Sequence, residues 1–344
     1  MSRDKIGLND CLVLAFSVCQ QGYCITKLKV MKVKFWGVRG SLPSSATVAE
    51  TKDRFVSLLT SFVNSGYKTV SDIEKFVHKL SPIDINGYGV ATTCVEVSSG
   101  QQRLIIDGGS GIKYLSDEML KQPNDDNEYH ILMTHFHFDH ILGLPFFHPH
   151  FKAGAKIRYY AVQNECEDVI KSLFNKPVFP VGYDLLKSDI EFITLKPHQK
   201  VQINGFDVTP YLLDHPDPCY GFRIEKDGKS YGHAVDTEAV RVTEFALGED
   251  AGLYKNVDLL FIDAQYLEEM MTTKKGWGHG TFQRAFNLSH RLGVKQVFLA
   301  HYDPSDSYAD IQGYKIKAQE VFERDFKNAK FIWNLAYESQ EIEL

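Results

Sequence analysis

Residues 130–140 read HILMTHFHFDH, an apolar, β-favouring run that ends in three histidines and an aspartate within six positions. A core has little use for so much imidazole, so the fold must end a buried strand at this cluster and bring partners to it. In an extended segment His135 and His137 fall on the same side and reach one ion. Positions i and i+2 of a helix do not face each other, so the pair belongs to a loop. Asp139 and His140 follow where the chain must turn; they point away from the first pair and serve a second ion. H-x-H-x-D-H therefore reads as a motif for two metals.

Two ions need more ligands than one loop supplies. His215 in "PYLLDHPDPC", Asp236 in "YGHAVDTE" and His301 in "VFLAHYDP" each stand at the end of a predicted strand. As a set they complete two nitrogen/oxygen sites: His135, His137 and His215 on one, Asp139, His140 and His301 on the other. Asp236 bridges them, because a carboxylate has an oxygen for each ion. A ligand set without thiolate fits two Zn2+ ions, with Mn2+ or Fe2+ also compatible.

Strand patterns recur at 32–38, 94–98, 103–107, 130–134, 157–162, 190–195, 201–214, 220–226, 230–236, 257–263, 296–300 and 330–334, with helical patterns at 165–174, 280–292 and 308–326. Many early strands without strict βαβ alternation predict layered sheets covered by helices, an α/β class. One stretch looks inserted. Phe55, Leu58, Leu59, Phe62 and Val63 mark one amphipathic helix, stopped by Gly66. Ser71 and Glu74 suggest a capping box for a second, with an apolar face of Ile73, Phe76, Val77 and Leu80. A helical hairpin over 47–82 follows, serving as flank packing, a lid or a dimer contact. Residues 1–30 read as a poorly patterned N-terminal extension; "CLVLAFSVC" weakly resembles a signal peptide but is broken by "QQGYC". Residues 31–344 form the main domain.

The balance of 38 Lys+Arg against 44 Asp+Glu, a formal net charge of −6, argues against a dedicated nucleic-acid binder. The six cysteines form no C-x-x-C pair, so a reduced, cytoplasmic chain is expected. No apolar run approaches transmembrane length, and no membrane partner is expected.

With these residues in place, the sequence resembles the metallo-β-lactamase-fold hydrolases, and most the branch containing ribonuclease Z and the cyclic-nucleotide phosphodiesterases, including the anti-Pycsar phosphodiesterases of phages. The resemblance runs from Met31 to the end and rests on "FWGVRGSLPS", "TTCVEV", "LIIDGGSGI", "THFHFDHILGLPFF", "DHPDPCYGFRI", "VDTE", "DAQY", "GWGHGTFQRA" and "AHYDPSD". It implies a four-layer αβ/βα sandwich with a dinuclear site at one end of the sheets, and commonly a homodimer. It also implies that His279, in "GWGHGTFQRA", assists phosphodiester cleavage. One departure stands out: "GYGVATTC" places Val90 and Ala91 where relatives carry a Gly-Gly-Asn loop.

Two divalent ions sharing a water lower its pKa and polarise the substrate oxygen. Two ions, two carboxylates and one hydroxide leave a charge of about +1, which attracts a phosphodiester anion more than a neutral lactone. His279 precedes a helix start suited to phosphate oxygens and stabilises charge or protonates the leaving oxygen. Asp139 pairs with the attacking water as well as ligating, and Asp263 orients a ligand histidine or His279. His148 and His150 read as wall or surface histidines, and His233 and Arg223 receive no role. Ribonuclease Z carries a basic, Gly/Pro-rich arm for transfer RNA; residues 151–200 show no such run. A small phosphodiester, a 3′,5′-cyclic nucleotide above all, is therefore the favoured substrate. The rivals are transfer-RNA 3′-end cleavage and hydrolysis of a lactone or thioester, and nucleic acid is the less favoured partner.

Overall fold

Two seven-stranded sheets face each other in the computed structural model, which describes residues 30–121 and 127–344. The expected extension lies, apart from residue 30, outside the described residues. Met31–Leu344 forms one compact unit.

The first sheet contains β1 (Met31–Gly37), β2 (Cys94–Ser99), β3 (Gln102–Ile106), β4 (Glu128–Leu132), β5 (Lys156–Ala161) and β6 (Asp189–Thr194). The second contains β7 (Val201–Ile203), β8 (Phe206–Leu212), β9 (Tyr220–Lys226), β10 (Lys229–Ala234), β11 (Leu259–Asp263), β12 (Gln296–Ala300) and β13 (Ile332–Leu335). The last strand, β14 (Glu341–Glu343), returns to the first sheet and pairs antiparallel with β1. The spatial orders are β14-β1-β2-β3-β4-β5-β6 and β13-β12-β11-β10-β9-β8-β7. In each sheet hairpin-linked strands run antiparallel, while β3 to β6 and β10 to β13 run parallel.

The alternation of side chains along a strand builds the layers. Leu104, Ile106 and Leu132 join the large core containing residues of both sheets, while Ile105 and Ile131 face the opposite way. Phe35 of β1 meets Phe261 of β11 across the interior at 4.5 Å between ring centroids. On the outer face of the first sheet, Ile112, Leu115 and Met119 of the helix Gly111–Met119 pack with Ile105 and Ile131. On the second, the helix Phe282–Leu292 buries Phe282, Ala285 and Phe286, and the helix Tyr308–Asp325 buries Ile311 and Ala318. Helix, sheet, sheet, helix is the four-layer sandwich expected from the sequence.

The inserted segment forms the helices Val48–Asn64 and Val70–Val77, joined across Gly66 at φ +79°, followed by a short helix Pro82–Asn86. The expected capping box is misplaced. Thr69 and Asp72 make it, two residues before Ser71 and Glu74, because the backbone turns out of extended geometry at Thr69. Phe62, Tyr67 and Phe76 close the hairpin against itself, with centroids 5.4–5.9 Å apart. Phe55, Leu59, Val63, Ile73 and Val77 stay exposed. The run 201–214 divides into a hairpin, β7 and β8, at Asn204-Gly205, both with positive φ. No helix among the described residues is long and apolar enough to cross a membrane.

Candidate dinuclear metal centre

The parallel strands deliver their carboxyl ends to one end of the sandwich, and the chemistry-bearing residues stand there. Asp107 follows β3, the 135–140 loop follows β4, Asp236 follows β10, Asp263 ends β11 and His301 follows β12. His215 comes from the loop between β8 and β9. Asp107 and His301 hold φ of +61° and +68°, values uncommon for residues other than glycine and concentrated at functional sites.

All seven predicted ligand residues converge. One ligand atom each from His135, His137, His215 and Asp236 lie within 4.8 Å of one another, as do those of Asp139, His140, Asp236 and His301. Asp236 belongs to both groups. Its Oδ2 is 3.3 Å from Nε2 of both His135 and His140, and its Oδ1 is 2.7 Å from His301 Nε2. Asp139 Oδ2 lies 3.2 Å from His301 Nε2 and accepts the Ser41 amide at 2.7 Å. Gly40, beside it, has no room for a side chain: a Cβ there meets His301 Nδ1 at 2.5 Å.

The donor atoms test whether metal fits. Nε2 of His135, His140, His215 and His301 and both oxygens of Asp236 are buried without a hydrogen-bond partner. Such orphaned groups are expensive to bury, and shared divalent cations would satisfy them together. His137 differs, half exposed with Nε2 2.9 Å from Asp217 Oδ2. Burial opposes ionisation of Asp139 and Asp236, yet His140 and His301 hold both below the ordinary carboxylate range. Burial likewise opposes charge on His140 and His301, but the neighbouring carboxylates hold both above the usual imidazole range. Burial pushes His135 down to about 4 and lowers His215 as well. Ionised carboxylates beside imidazoles are the state a cation would use, with proton release as it binds.

Residues outside the expected set hold the cluster in place. Asp107 Oδ2 is 2.8 Å from His140 Nδ1, and its carboxylate accepts the Thr134 amide and hydroxyl. Gln265 Oε1 is 2.9 Å from His301 Nδ1, and the Asp217 carbonyl is 2.9 Å from His215 Nδ1. Asp107 lies in the quoted "LIIDGGSGI" and Gln265 in "DAQY", but a polar residue after a strand carries no signal of which histidine it meets. Asp263 accepts the amides of Gln265 and Gly280 on one oxygen and sits 2.9 Å from His279 Nδ1 on the other. His150 is buried against Tyr159 at 2.8 Å, and His148 reaches Asp117 at the surface. His233 is buried 3.9 Å from Asp107, and Arg223 binds the Gly252 and Lys255 carbonyls. Glu338 accepts the amides of Val90 and Ala91, whose side of the fold borders a cleft of about 260 Å³ with Pro43, Tyr114, Leu142 and Phe146.

A family model described as the beta-lactamase superfamily domain matches residues 102–302, more than half of the chain and most of the residues above. The chain belongs to the β-lactamase superfamily. Among curated relatives of this superfamily member, the ribonuclease Z of Archaeoglobus fulgidus is 24% identical over 270 residues, 66% of this chain and 86% of that protein. The ribonuclease Z of Ligilactobacillus salivarius is 28% identical over 243 residues, 56% of this chain and 74% of that one. Among solved structures, the metallo-β-lactamase fold protein YhfI from Bacillus subtilis superposes with a TM-score of 0.61 at 15% identity, covering 92% of this chain and 100% of that one. The metal-dependent hydrolase class and the branch resembled by the motifs stand with these findings.

Proposed function

We propose that the chain is a dinuclear, zinc-dependent phosphodiesterase that hydrolyses small nucleotide diesters, 3′,5′-cyclic nucleotides foremost, to nucleoside monophosphates. The observation that carries the reading is the convergence of unpartnered histidine nitrogens on both oxygens of Asp236. Divalent cations bound there would activate water, polarise a phosphoryl oxygen and favour an anionic diester over a neutral ester. Asp139, held ionised by His140 and His301 and oriented by the Ser41 amide, would position that water by hydrogen bonding. His279 keeps Nδ1 on Asp263 and presents Nε2 to the leaving oxygen, to which it donates a proton.

Cleavage of precursor transfer RNA is a second reading, favoured by the curated relatives, which are ribonucleases Z. Against it, the described part of 151–200 is folded into β5, the helix Cys166–Ser172 and β6, and Phe174 gathers Phe179 and Tyr183 at 5.7 and 6.3 Å. No basic arm protrudes among these residues, and phosphate contacts dominate nucleic-acid affinity. A homodimer with the hairpin's exposed apolar face as its surface, and a cytoplasmic location keeping the buried thiols of Cys94, Cys166 and Cys219 reduced, complete the proposal.

The test is a substrate panel with zinc- or manganese-loaded protein: cyclic purine and pyrimidine nucleotides, precursor transfer RNA, and a lactone. Release of nucleoside monophosphate that vanishes in Asp236→Ala supports the reading. Cleavage of the RNA or the lactone alone overturns it.

A further inference from the structure

We propose that Trp277 and Lys274 form a nucleobase platform at the mouth of this centre. The inference rests on the reading above and names the part of the substrate that the metal ligands do not recognise. Of the three tryptophans, Trp36 is buried, Trp333 is partly buried, and Trp277 stands 55% exposed. Its place is set by the loop. Gly276 and Gly278 take φ of +84° and +90° on either side, and the Glu238 carboxylate accepts both of their amides. Gly278 lies so close to His215 that a Cβ meets its ring at 2.1 Å. The indole is thus one residue from backbone packed on a candidate ligand, and two from His279.

Lys274 explains the indole's orientation. Its ammonium stands 3.6 Å from the Trp277 ring centroid and 5.3 Å from that of Tyr266. Tyr266 in turn meets the His279 ring edge-on at 5.7 Å. Among the described residues no carboxylate lies within ion-pair distance of Lys274, so its charge is held by ring faces alone. The indole keeps 55% of its surface exposed with the ammonium over its ring. A flat ring stacked on the face away from the ammonium would continue a cation–ring–ring sandwich. The unpaired positive charge attracts an anionic ligand to the same mouth. Aromatic ring and anion together describe a nucleotide. Phe179 and Tyr183 are spent on packing around Phe174.

The experiment uses metal-loaded protein, with adenosine 5′-monophosphate as a non-reacting product probe and ribose 5-phosphate as the same anion without a base. The nucleotide quenches tryptophan emission, and ribose 5-phosphate does not. Base stacking is worth roughly ten- to a hundredfold in affinity, so Trp277→Ala weakens nucleotide binding by about that factor. Trp277→Phe keeps binding within severalfold while abolishing the quench, which separates stacking from a folding defect. Equal affinity for the two probes, no quench by the nucleotide, or nucleotide binding unchanged in Trp277→Ala overturns the platform. A quench that persists in a protein without cyclic-nucleotide turnover upholds the platform and removes the activity proposed above instead.

Discussion

His279 Nδ1 lies 2.9 Å from Asp263 Oδ2, and this contact leaves Nε2 as the nitrogen that would serve a substrate in the proposed reaction. Burial opposes a positive charge on His279, but Asp263 and Asp236 outweigh it and hold the imidazole above its ordinary range. A general acid works while protonated, so turnover falls as pH rises through that raised pKa. Asp263→Asn removes one of the carboxylates responsible, and the alkaline limb of the kcat profile moves to lower pH. His279→Ala loses about 10²–10⁴-fold in kcat. An alkaline limb unmoved in Asp263→Asn argues against the pairing.

Asp107 plays the corresponding part for His140, with Oδ2 2.8 Å from Nδ1. A carboxylate behind a ligating histidine fixes the ring and raises its basicity. Asp107→Asn is expected to weaken metal binding by roughly 10–100-fold in a chelator competition. Unchanged affinity removes Asp107 from the metal centre.

How much of this was legible in the sequence depends on the kind of signal each residue carries. His135, His137, Asp139 and His140 announce themselves because ligand-type residues at this spacing have no ordinary use after a buried strand. His215, Asp236 and His301 are legible from their place at the ends of predicted strands, where a sandwich gathers loops at one end. The layers are legible from many early strands without strict βαβ alternation, and β3 and β4 read as continuous apolar runs because each feeds two cores. The roles of Gln265 and Asp217 were hidden, because which side chain lies behind a ligand depends on how neighbouring strand ends meet. Trp277 was hidden for a related reason: exposure is a tertiary property. The capping box at Thr69 is ambiguous in the sequence because two Ser/Thr-x-x-acid patterns overlap there, and only the backbone chooses between them.

Asp306, in the loop after His301, offers a test of stability. Burial, with the charges of Asp303 and Asp310, raises its carboxyl from 3.8 to about 6. The fold therefore favours the protonated form. Its stabilising contribution is full below about pH 4 and is lost as pH rises through about 6. Asp306→Asn keeps the neutral form at all pH and is expected to be about 1 kcal/mol more stable than the parent at pH 8, allowing for solvent screening of a partly exposed group. At pH 4 the two should unfold alike. A variant no more stable than the parent in denaturant at pH 8 contradicts this.

The hairpin's apolar face gives a prediction about assembly. Phe55 and Leu59, one turn apart on the helix Val48–Asn64, are 61% and 64% exposed. Exposed apolar side chains on this helix suit the dimer surface proposed above. Leu59→Asp is expected to shift a dimer to monomer in light scattering, with the metal content unchanged. A parent already monomeric at working concentrations removes the hairpin from the dimer proposal.

The central claim is that Asp236 joins two cation sites. The direct measurement is metal per chain, by elemental analysis of protein equilibrated with zinc and then freed of excess ion. The account predicts two ions for the parent and no more than one for Asp236→Ala. A parent that retains no metal, or an Asp236→Ala chain that still holds two, would contradict it.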